Sequence, residues 1–214
     1  MNKRLVIIGL LILVTALVGK LLFVFGKNIK LDDFHKSAVI FVIKPSENLQ
    51  EVKYIKSLCA VLDPEDEVKI IKSSSSSYLI YEGSAADSSN ISKVFEEFSK
   101  DTEASSYGEG IKKALDHALT MKKEGYVPSV VVVGDLVNEG DISKQINWQT
   151  LPKNIEKVKQ YIPELAMMFI YASPEKLDIV KTKLNPVLGE TKLIIANKVG
   201  ADKANRRFLK AIGR

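Results

Sequence analysis

Cysteine is nearly absent from this chain, since Cys59 is the single copy among 214 residues. One cysteine cannot form an intrachain disulfide, and it excludes a metal site built from several cysteines. Cys59 lies on a stripe of apolar residues at helical spacing that also holds Leu49, Val52, Ile55 and Leu62. Because such a stripe faces the protein interior, we expect Cys59 to act as a small buried apolar group.

The residues and motifs typical of enzymes are also scarce. There are two histidines, His35 and His117, and we expect the second to lie on the solvated face of a helix near Lys113. The chain has no Gly-x-Ser-x-Gly nucleophile motif and no Gly-x-x-x-x-Gly-Lys phosphate loop. Residues 108–110 contain two glycines, but they lack the third glycine of a dinucleotide-binding motif and follow no predicted strand. We therefore predict no catalytic residue and no cofactor.

Clusters of acidic residues are the remaining candidates for acid–base chemistry. They are Glu96 with Glu97, and Asp63 with Glu65, Asp66 and Glu67. Ionised side chains are seldom buried unless they are paired. We therefore expect both clusters to lie on solvated surface.

Basic residues outnumber acidic ones, but the excess is confined to the N-terminus. The chain has a formal net charge of +5, and residues 1–30 contain five basic residues and no acidic one. Residues 31–214 hold 26 basic and 26 acidic residues and are therefore neutral. A neutral domain gives no electrostatic support for a nucleic-acid partner, and none is predicted.

Residues 5–25 form a long apolar run in which Thr15 and Lys20 are the polar members. As a helix this run would extend about 30 Å, which is enough to cross a bilayer core. We predict a single-pass transmembrane signal-anchor at 1–26, followed by a short linker at 27–36 and a domain at 37–214. The alternatives are a cleaved signal peptide, since Lys3 and Arg4 form a basic start, and a buried helix. The short basic N-tail favours a domain on the extracytoplasmic side.

After residue 36, apolar patterns typical of strands and helices alternate to the end of the chain. The predicted strands are 38–43, 67–72, 78–81, 130–133, 166–171 and 192–196, and the predicted helices are 49–62, 90–100, 110–123, 154–161, 174–184 and 201–212. Strands that are separated by helices form parallel sheets with helices on both faces. The pair that is joined by the serine run 73–77 predicts a hairpin. The expected fold is thus α/β and doubly wound, with a mostly parallel six-stranded sheet and one antiparallel edge strand.

Three segments of this domain resemble the von Willebrand factor type A (vWA) family. Residues 39–48 resemble the first strand of the family and its following loop, and residues 105–115 resemble a Gly-Thr segment that runs into a helix. Residues 130–135, Val-Val-Val-Val-Gly-Asp, resemble the strand that ends in Thr-Asp-Gly. The order of predicted elements is also that of a vWA domain. The resemblance covers about 37–214.

The resemblance implies a metal-ion-dependent adhesion site, and this sequence departs from its pattern. The matching positions, in chain order, are Lys44, Ser46, Asn48, Ser105 or Ser106, and Asp135. The leading aspartate of the family motif is thus a lysine, which replaces a ligand by a repulsive positive charge. We expect a degenerate site that binds neither Mg²⁺ nor Ca²⁺.

Two positions of the Lys44 side chain are compatible with the sequence. In the first, its ammonium lies near the vacated metal position and pairs with Asp135, within about 4 Å if the contact is direct. In the second, Lys44 extends into solvent and the site has decayed. We predict the first, with the Lys44–Asp135 interaction either direct or bridged by a single water.

Two surfaces are candidates for partner contact. One is the edge formed by the loops at 44–48, 73–77, 105–109 and 135–141, where Leu136 and Val137 are apolar residues in a polar loop. The alternative is that these two side chains pack beneath the loop. The other surface is the C-terminal helix, where Arg206, Arg207 and Lys210 are expected to meet an acidic partner or anionic lipid, or else to be simply solvated.

The function that these features favour is a membrane-tethered, metal-independent vWA-like module for protein–protein interaction. It would serve as a subunit or assembly factor of a membrane complex. Two alternatives stay open: a metal-dependent adhesion-type vWA domain, and a hydrolase-type enzyme on a doubly wound fold. The scarcity of histidine and cysteine at the loops of the edge argues against the enzyme.

Overall fold

A computed structural model describes residues 36–44, 49–98, 106–137, 139 and 141–214. Within these ranges, six strands and six α-helices follow one another in the predicted order. The strands are β1 (Ser37–Ile43), β2 (Glu67–Lys72), β3 (Tyr78–Ser84), β4 (Val127–Val133), β5 (Ala166–Ile170) and β6 (Leu193–Ala196). The helices are α1 (Leu49–Cys59), α2 (Ser88–Phe98), α3 (Tyr107–Lys123), α4 (Leu151–Lys159), α5 (Pro174–Leu188) and α6 (Ala201–Ala211).

The strands form one sheet in the order β3-β2-β1-β4-β5-β6. All neighbouring strands are parallel except β2 and β3, which pair antiparallel across the serine turn. The expectation of a mostly parallel six-stranded sheet with one antiparallel edge strand is therefore confirmed. Because β1 and β4 are parallel neighbours, the residues that follow Ile43 and Val133 emerge side by side at one edge.

Helices cover both faces of this sheet. Ile40 and Val42 of β1 pack into a core that is shared with α3, α4 and α5, whereas Val39 and Phe41 pack into a second core beneath α1, α2 and α6. All seven residues of β1 are buried. Only a strand that is covered on both faces tolerates such a continuous apolar run, which is why the sequence alone predicted it.

The ends of three elements differ from the sequence prediction at prolines. Helix α4 begins at Leu151 rather than at 154 and includes Pro152 in its first turn. β4 begins at Val127 and includes Pro128, which was expected to lie in the preceding loop. Helix α5 continues beyond Leu184 to Leu188 and contains Pro186. In α5 the side chain of Leu188 is buried against the core, so packing extends the helix past a residue that locally disfavours it.

Two predictions about single side chains have different outcomes. Cys59 is 5% exposed, as expected, and burial raises the pKa of its thiol to about 12. His117 is half-buried rather than fully solvated. Desolvation, and then the nearby Lys69, lower the pKa of His117.

The expectation that Asp66 belongs to a solvated acidic cluster is wrong. Asp66 is fully buried at the start of β2. Its carboxylate accepts hydrogen bonds from the backbone N–H of Ser37, at 2.8 Å, and of Asp63, at 3.0 Å, and it pairs with the guanidinium of Arg214. These donors replace water, so the charge is compensated within the fold.

No helix of the described ranges is long and apolar enough to span a membrane. The predicted transmembrane segment and most of the linker lie outside those ranges. The chain from Lys36 to Arg214 forms one compact unit.

A chain that begins at Leu31 is expected to be soluble and to unfold cooperatively in urea. The reason is that residues 36–214 already contain both apolar cores of the sheet. The measurement is circular dichroism across a urea titration, compared with the full-length chain in detergent. Aggregation that only the apolar N-terminal segment prevents would show that this segment belongs to the core and would contradict the membrane assignment.

Candidate functional site

The candidate site lies at the edge of the sheet where β1 and β4 end. Ile43 pairs in register with Val133, so Lys44 and Gly134-Asp135 follow neighbouring strands at the same level. The carboxyl edge of an open parallel sheet is the usual location of ligand sites in this class of fold. The sequence places charged residues at both positions.

The Lys44 ammonium lies between two carboxylates. Its Nζ is 3.7 Å from Oδ2 of Asp135 and 3.4 Å from Oε1 of Glu139. The predicted pairing of Lys44 with Asp135 within about 4 Å is present, and Glu139 is a second partner that the sequence did not reveal. The Lys44 side chain is 17% exposed, whereas the two carboxylates are about half exposed. Solvent screening therefore limits each pair to about 1 kcal/mol or less.

Glu51 is a third carboxyl group at this edge, and the sequence analysis missed it. It lies in the first turn of α1, is 7% exposed, and its Oε2 has no hydrogen-bond partner among the described residues. The pKa of Glu51 is raised to about 7, first by burial and then by the negative charge of Asp135, while Lys44 opposes both effects. The sequence does indicate that Glu51 faces the interior. It is four residues before the buried Ile55 and seven before the buried Leu58, so all three share one face of the helix.

Gly134 allows the end of β4 to pack closely against the side chain of Tyr107. Its φ of +133° is a conformation that residues with a side chain rarely adopt. A Cβ at this position would lie 2.0 Å from the hydroxyl oxygen of Tyr107. That hydroxyl is fully buried and donates a hydrogen bond to the carbonyl of Val133, at 3.3 Å. Burial raises the pKa of Tyr107 well above its ordinary value, so its hydroxyl stays protonated and serves as a donor.

The other predicted residues of the edge are only partly described. Ser46, Asn48 and Ser105 lie outside the described residues. Ser106 is buried, and its hydroxyl donates a hydrogen bond to the backbone carbonyl of Glu139, at 3.1 Å. Ser106 thus holds the loop that brings Glu139 to Lys44.

The prediction that Leu136 contacts a partner is corrected by the structure. Leu136 is 2% exposed and packs in the core beneath the loop, with a φ of +57°, so it does not present its side chain to a partner. Val137 is 41% exposed and stays a candidate contact. The backbone N–H of Val137 donates to Oδ1 of Asp135, at 2.9 Å, which turns the Val137 side chain outward while Leu136 packs inward.

Side chains of Lys144, Lys113 and Glu109 tie the serine turn to the rest of the edge. Lys144 donates to the carbonyl of Ser75, at 2.6 Å, and Lys113 donates to the carbonyl of Ser77. The backbone N–H of Ser77 donates to Oε2 of Glu109, at 3.2 Å. The turn therefore belongs to the same surface as the loop after β4.

The C-terminal helix presents its basic residues to solvent. Arg206, Arg207 and Lys210 are exposed, and Phe208 between them is fully buried. Arg207 also donates to the backbone carbonyl of Glu190, at 3.1 Å. Arg214 is engaged with Asp66 and is not part of this exposed face.

The described side chains of the edge do not match a divalent-cation site. The Lys44 ammonium lies 3.7 Å from Oδ2 of Asp135, so this carboxylate already has a cationic partner. In the described ranges, no group of three or more histidine, cysteine, aspartate or glutamate side chains is arranged to hold a metal ion. The carboxylates are instead positioned for ion pairs and hydrogen bonds.

No protein-family model matches the chain, and no curated protein matches it by sequence. Solved structures do match, and they show the fold. The VWA domain of SpRpn10 is 12% identical with a TM-score of 0.55, over 76% of this chain and 87% of that one. An aerotolerance-related membrane protein from Bacteroides fragilis is 12% identical with a TM-score of 0.53, over 82% of this chain and 98% of that one.

The manganese-loaded TRAP protein of Plasmodium vivax is a third structure with this fold. It is 14% identical with a TM-score of 0.58, over 83% of this chain and 74% of that one. The fold of residues 36–214 is therefore vWA-like. The expectation from sequence is confirmed at the level of the fold.

Proposed function

We propose that this chain is a membrane-tethered, metal-independent vWA-like module for protein–protein interaction. It would act as a subunit or assembly factor of a membrane complex, with its domain on the extracytoplasmic side. The observation that carries the proposal is the ion pair of Lys44 with Asp135 and Glu139 at the carboxyl edge of the sheet. A built-in ammonium there supplies the positive charge that a metal ion would otherwise bring.

Three further features support the proposal. Val137 and Ile142 are exposed apolar side chains beside this edge, which suits a contact with another protein. The apolar run at 5–25 supports the membrane tether. One structural neighbour is described as a membrane protein, which agrees with a vWA-like domain in such a setting. The edge offers no histidine or cysteine among its described residues, so we propose no enzymatic activity.

The metal-dependent alternative is tested by calorimetric titration of the full-length chain with Mg²⁺, Mn²⁺ and Ca²⁺. We expect no binding by the native chain. Replacing Lys44 by aspartate is expected to create Mg²⁺ binding, because a carboxylate ligand would then occupy the position of the ammonium. Lys44→Met is the matched control, since it removes the charge without adding a ligand. Micromolar metal binding by the native chain that Asp135→Ala abolishes would contradict metal independence.

The interaction function is tested by chemical crosslinking in native membranes with the N-terminal segment intact. We expect a membrane-protein partner to be captured by the native chain and lost when Val137 is replaced by aspartate. Val61→Asp is the matched control, because Val61 is also exposed but follows α1 at the opposite edge. Equal capture by the native, Val137→Asp and Val61→Asp chains would show that the surface around Val137 is not the contact surface.

The basic face of the C-terminal helix is predicted to contribute to the same assembly. Replacing Arg206, Arg207 and Lys210 together by glutamine should leave thermal stability nearly unchanged, because all three are exposed. Association with anionic liposomes or with the native complex should weaken, since the attraction is electrostatic. The control is the triple replacement of Lys153, Lys157 and Lys181 by glutamine, which removes the same charge elsewhere. Unaltered association at low and at physiological salt would leave this helix as an ordinary solvated surface.

A further inference from the structure

The surface around Lys44 carries more negative than positive charge. One ammonium there lies near three carboxyl groups, those of Asp135, Glu139 and Glu51. The cluster is therefore negative whether Glu51 is protonated or ionised. Residues 135–141 also include Asp141 and contain no basic residue. A positively charged group from outside would be attracted to this surface.

Two of these carboxylates can be reached from solvent. The side chains of Asp135 and Glu139 are 51% and 52% exposed, whereas that of Lys44 is 17% exposed. Lys44 therefore holds them from the protein side and leaves half of their surface open. Charge-assisted hydrogen bonds from a second cation can form on the open side without displacing Lys44.

Glu51 is a second, independent feature of this surface. Its side chain is more than nine-tenths buried, and Oε2 has no partner among the described residues. The side chain lies beside Gly134, with Oε1 3.7 Å from the position of a Cβ at that glycine, and its charge interacts with Asp135. Buried polar atoms in folded proteins are nearly always hydrogen-bonded. Oε2 is itself closed to solvent, so Glu51 acts on a partner through its charge and not through a direct hydrogen bond.

Apolar side chains border the same acids. Val137 is 41% exposed, and Ile142, next to Asp141, is 84% exposed. Asp141 is fixed there by a hydrogen bond from the backbone N–H of Ser143, at 2.8 Å. Acidic side chains thus adjoin exposed aliphatic ones at 135–137 and again at 141–142. Such a surface matches a partner that carries both a cation and an apolar group.

We propose that this edge binds a protein segment that presents lysine or arginine next to an aliphatic side chain. The proposal rests on the interaction function proposed above and specifies the chemistry of the partner. The cationic group pairs with Asp135 and Glu139, the Glu51 carboxyl adds to the negative potential behind them, and the aliphatic group packs on Val137 and Ile142. No metal ion takes part in this recognition.

The test measures binding of short synthetic peptides to the full-length chain in nanodiscs of uncharged lipid, with EDTA in the buffer. One set of peptides alternates lysine or arginine with valine or leucine, and the other set replaces the basic residues by glutamate. We expect the basic set to bind, the acidic set not to bind, and the affinity to fall as salt rises. Replacing Asp135 by asparagine and Glu139 by glutamine together should weaken binding about tenfold or more, since two charge pairs are lost.

The control variant replaces Glu156 and Asp178 by glutamine and asparagine, which removes two exposed carboxylates elsewhere. An equal loss of binding in both variants, or no preference for basic peptides, would overturn the proposal. If acidic peptides bind only when Mg²⁺ replaces the EDTA, the metal-independent function fails together with this inference. If neither peptide set binds while Val137→Asp still abolishes capture of the native partner, the interaction function stands and only the partner chemistry is wrong.

Discussion

Replacing Asp66 by alanine is expected to destabilise the domain by about 2–4 kcal/mol, because Asp66 is a fully buried carboxylate that accepts from two backbone N–H groups. The fully buried N–H of Ser37 and the N–H of Asp63 would lose their acceptor, and the Arg214 guanidinium would keep only its second carboxylate partner, Asp63. Urea unfolding of the full-length chain measures the effect as a lower midpoint at constant slope.

Glu65→Ala is the matched control for Asp66. Glu65 is adjacent in sequence, its side chain is 71% exposed, and it pairs with Lys36 at the surface. The control should change the free energy of unfolding by less than about 1 kcal/mol. Asp66→Asn is expected to lie between the two, because the amide keeps an acceptor oxygen but loses the charge. Equal effects of Asp66→Ala and Glu65→Ala would show that the buried network is not stabilising.

Replacing Glu51 by glutamine is expected to stabilise the domain at pH 8 by about 3 kcal/mol. The pKa of Glu51 is about 7 in the fold and 4.5 in the unfolded chain, and each unit of difference is worth about 1.4 kcal/mol. The folded state therefore binds the proton more tightly, so the native domain loses stability as the pH rises from about 4.5 to about 7. Above about pH 7 the loss of folding stability is complete and no longer changes with pH.

The measurement for Glu51 is urea unfolding of both chains at several pH values between 4 and 8. Glutamine cannot ionise, so the two unfolding curves should agree near pH 4 and separate as the pH increases. Glu96→Gln is the control, because Glu96 is exposed on α2. A Glu51→Gln chain that is less stable than the native one at pH 8 would mean that ionised Glu51 is compensated by a partner in the free protein.

The sequence predicted the Lys44–Asp135 pair because each residue directly follows an apolar strand. Residues 38–43 and 130–133 are recognisable without a structure, and parallel strands end at a common edge. Adjacency of β1 and β4 then brings the two charges together. The resemblance to vWA domains supplied the strand order that this step needs. Local pattern and family order were both necessary.

Glu139 could not be placed from sequence because its position depends on a loop. Two hydrogen bonds fix the loop after β4. The buried hydroxyl of Ser106 donates to the Glu139 carbonyl, and the backbone N–H of Val137 donates to Asp135. The same geometry turns Leu136 inward with a positive φ, so one of two adjacent apolar residues became core and the other surface. Hydrophobicity alone does not distinguish them.

The sequence by itself determined the elements whose periodicity is local. Continuous apolar runs defined the central strands, and three- and four-residue spacings defined the helices, because burial on one face or on two leaves a direct pattern in the chain. The sequence also shows that Lys44 stands where the vWA motif has an aspartate. These features depend on residue type and near neighbours, so they can be inferred before folding is known.

Only the tertiary structure decided which charged residues are buried. Asp66 lies in an acidic stretch of sequence, and Glu51 lies in an amphipathic helix. The burial of both side chains depends on residues that are distant in sequence. Asp66 meets Ser37 and Arg214, 29 and 148 residues away, and Glu51 meets the end of β4. An ionisable group can be buried where distant segments supply donors or hold its proton, and local sequence contains no record of those distances.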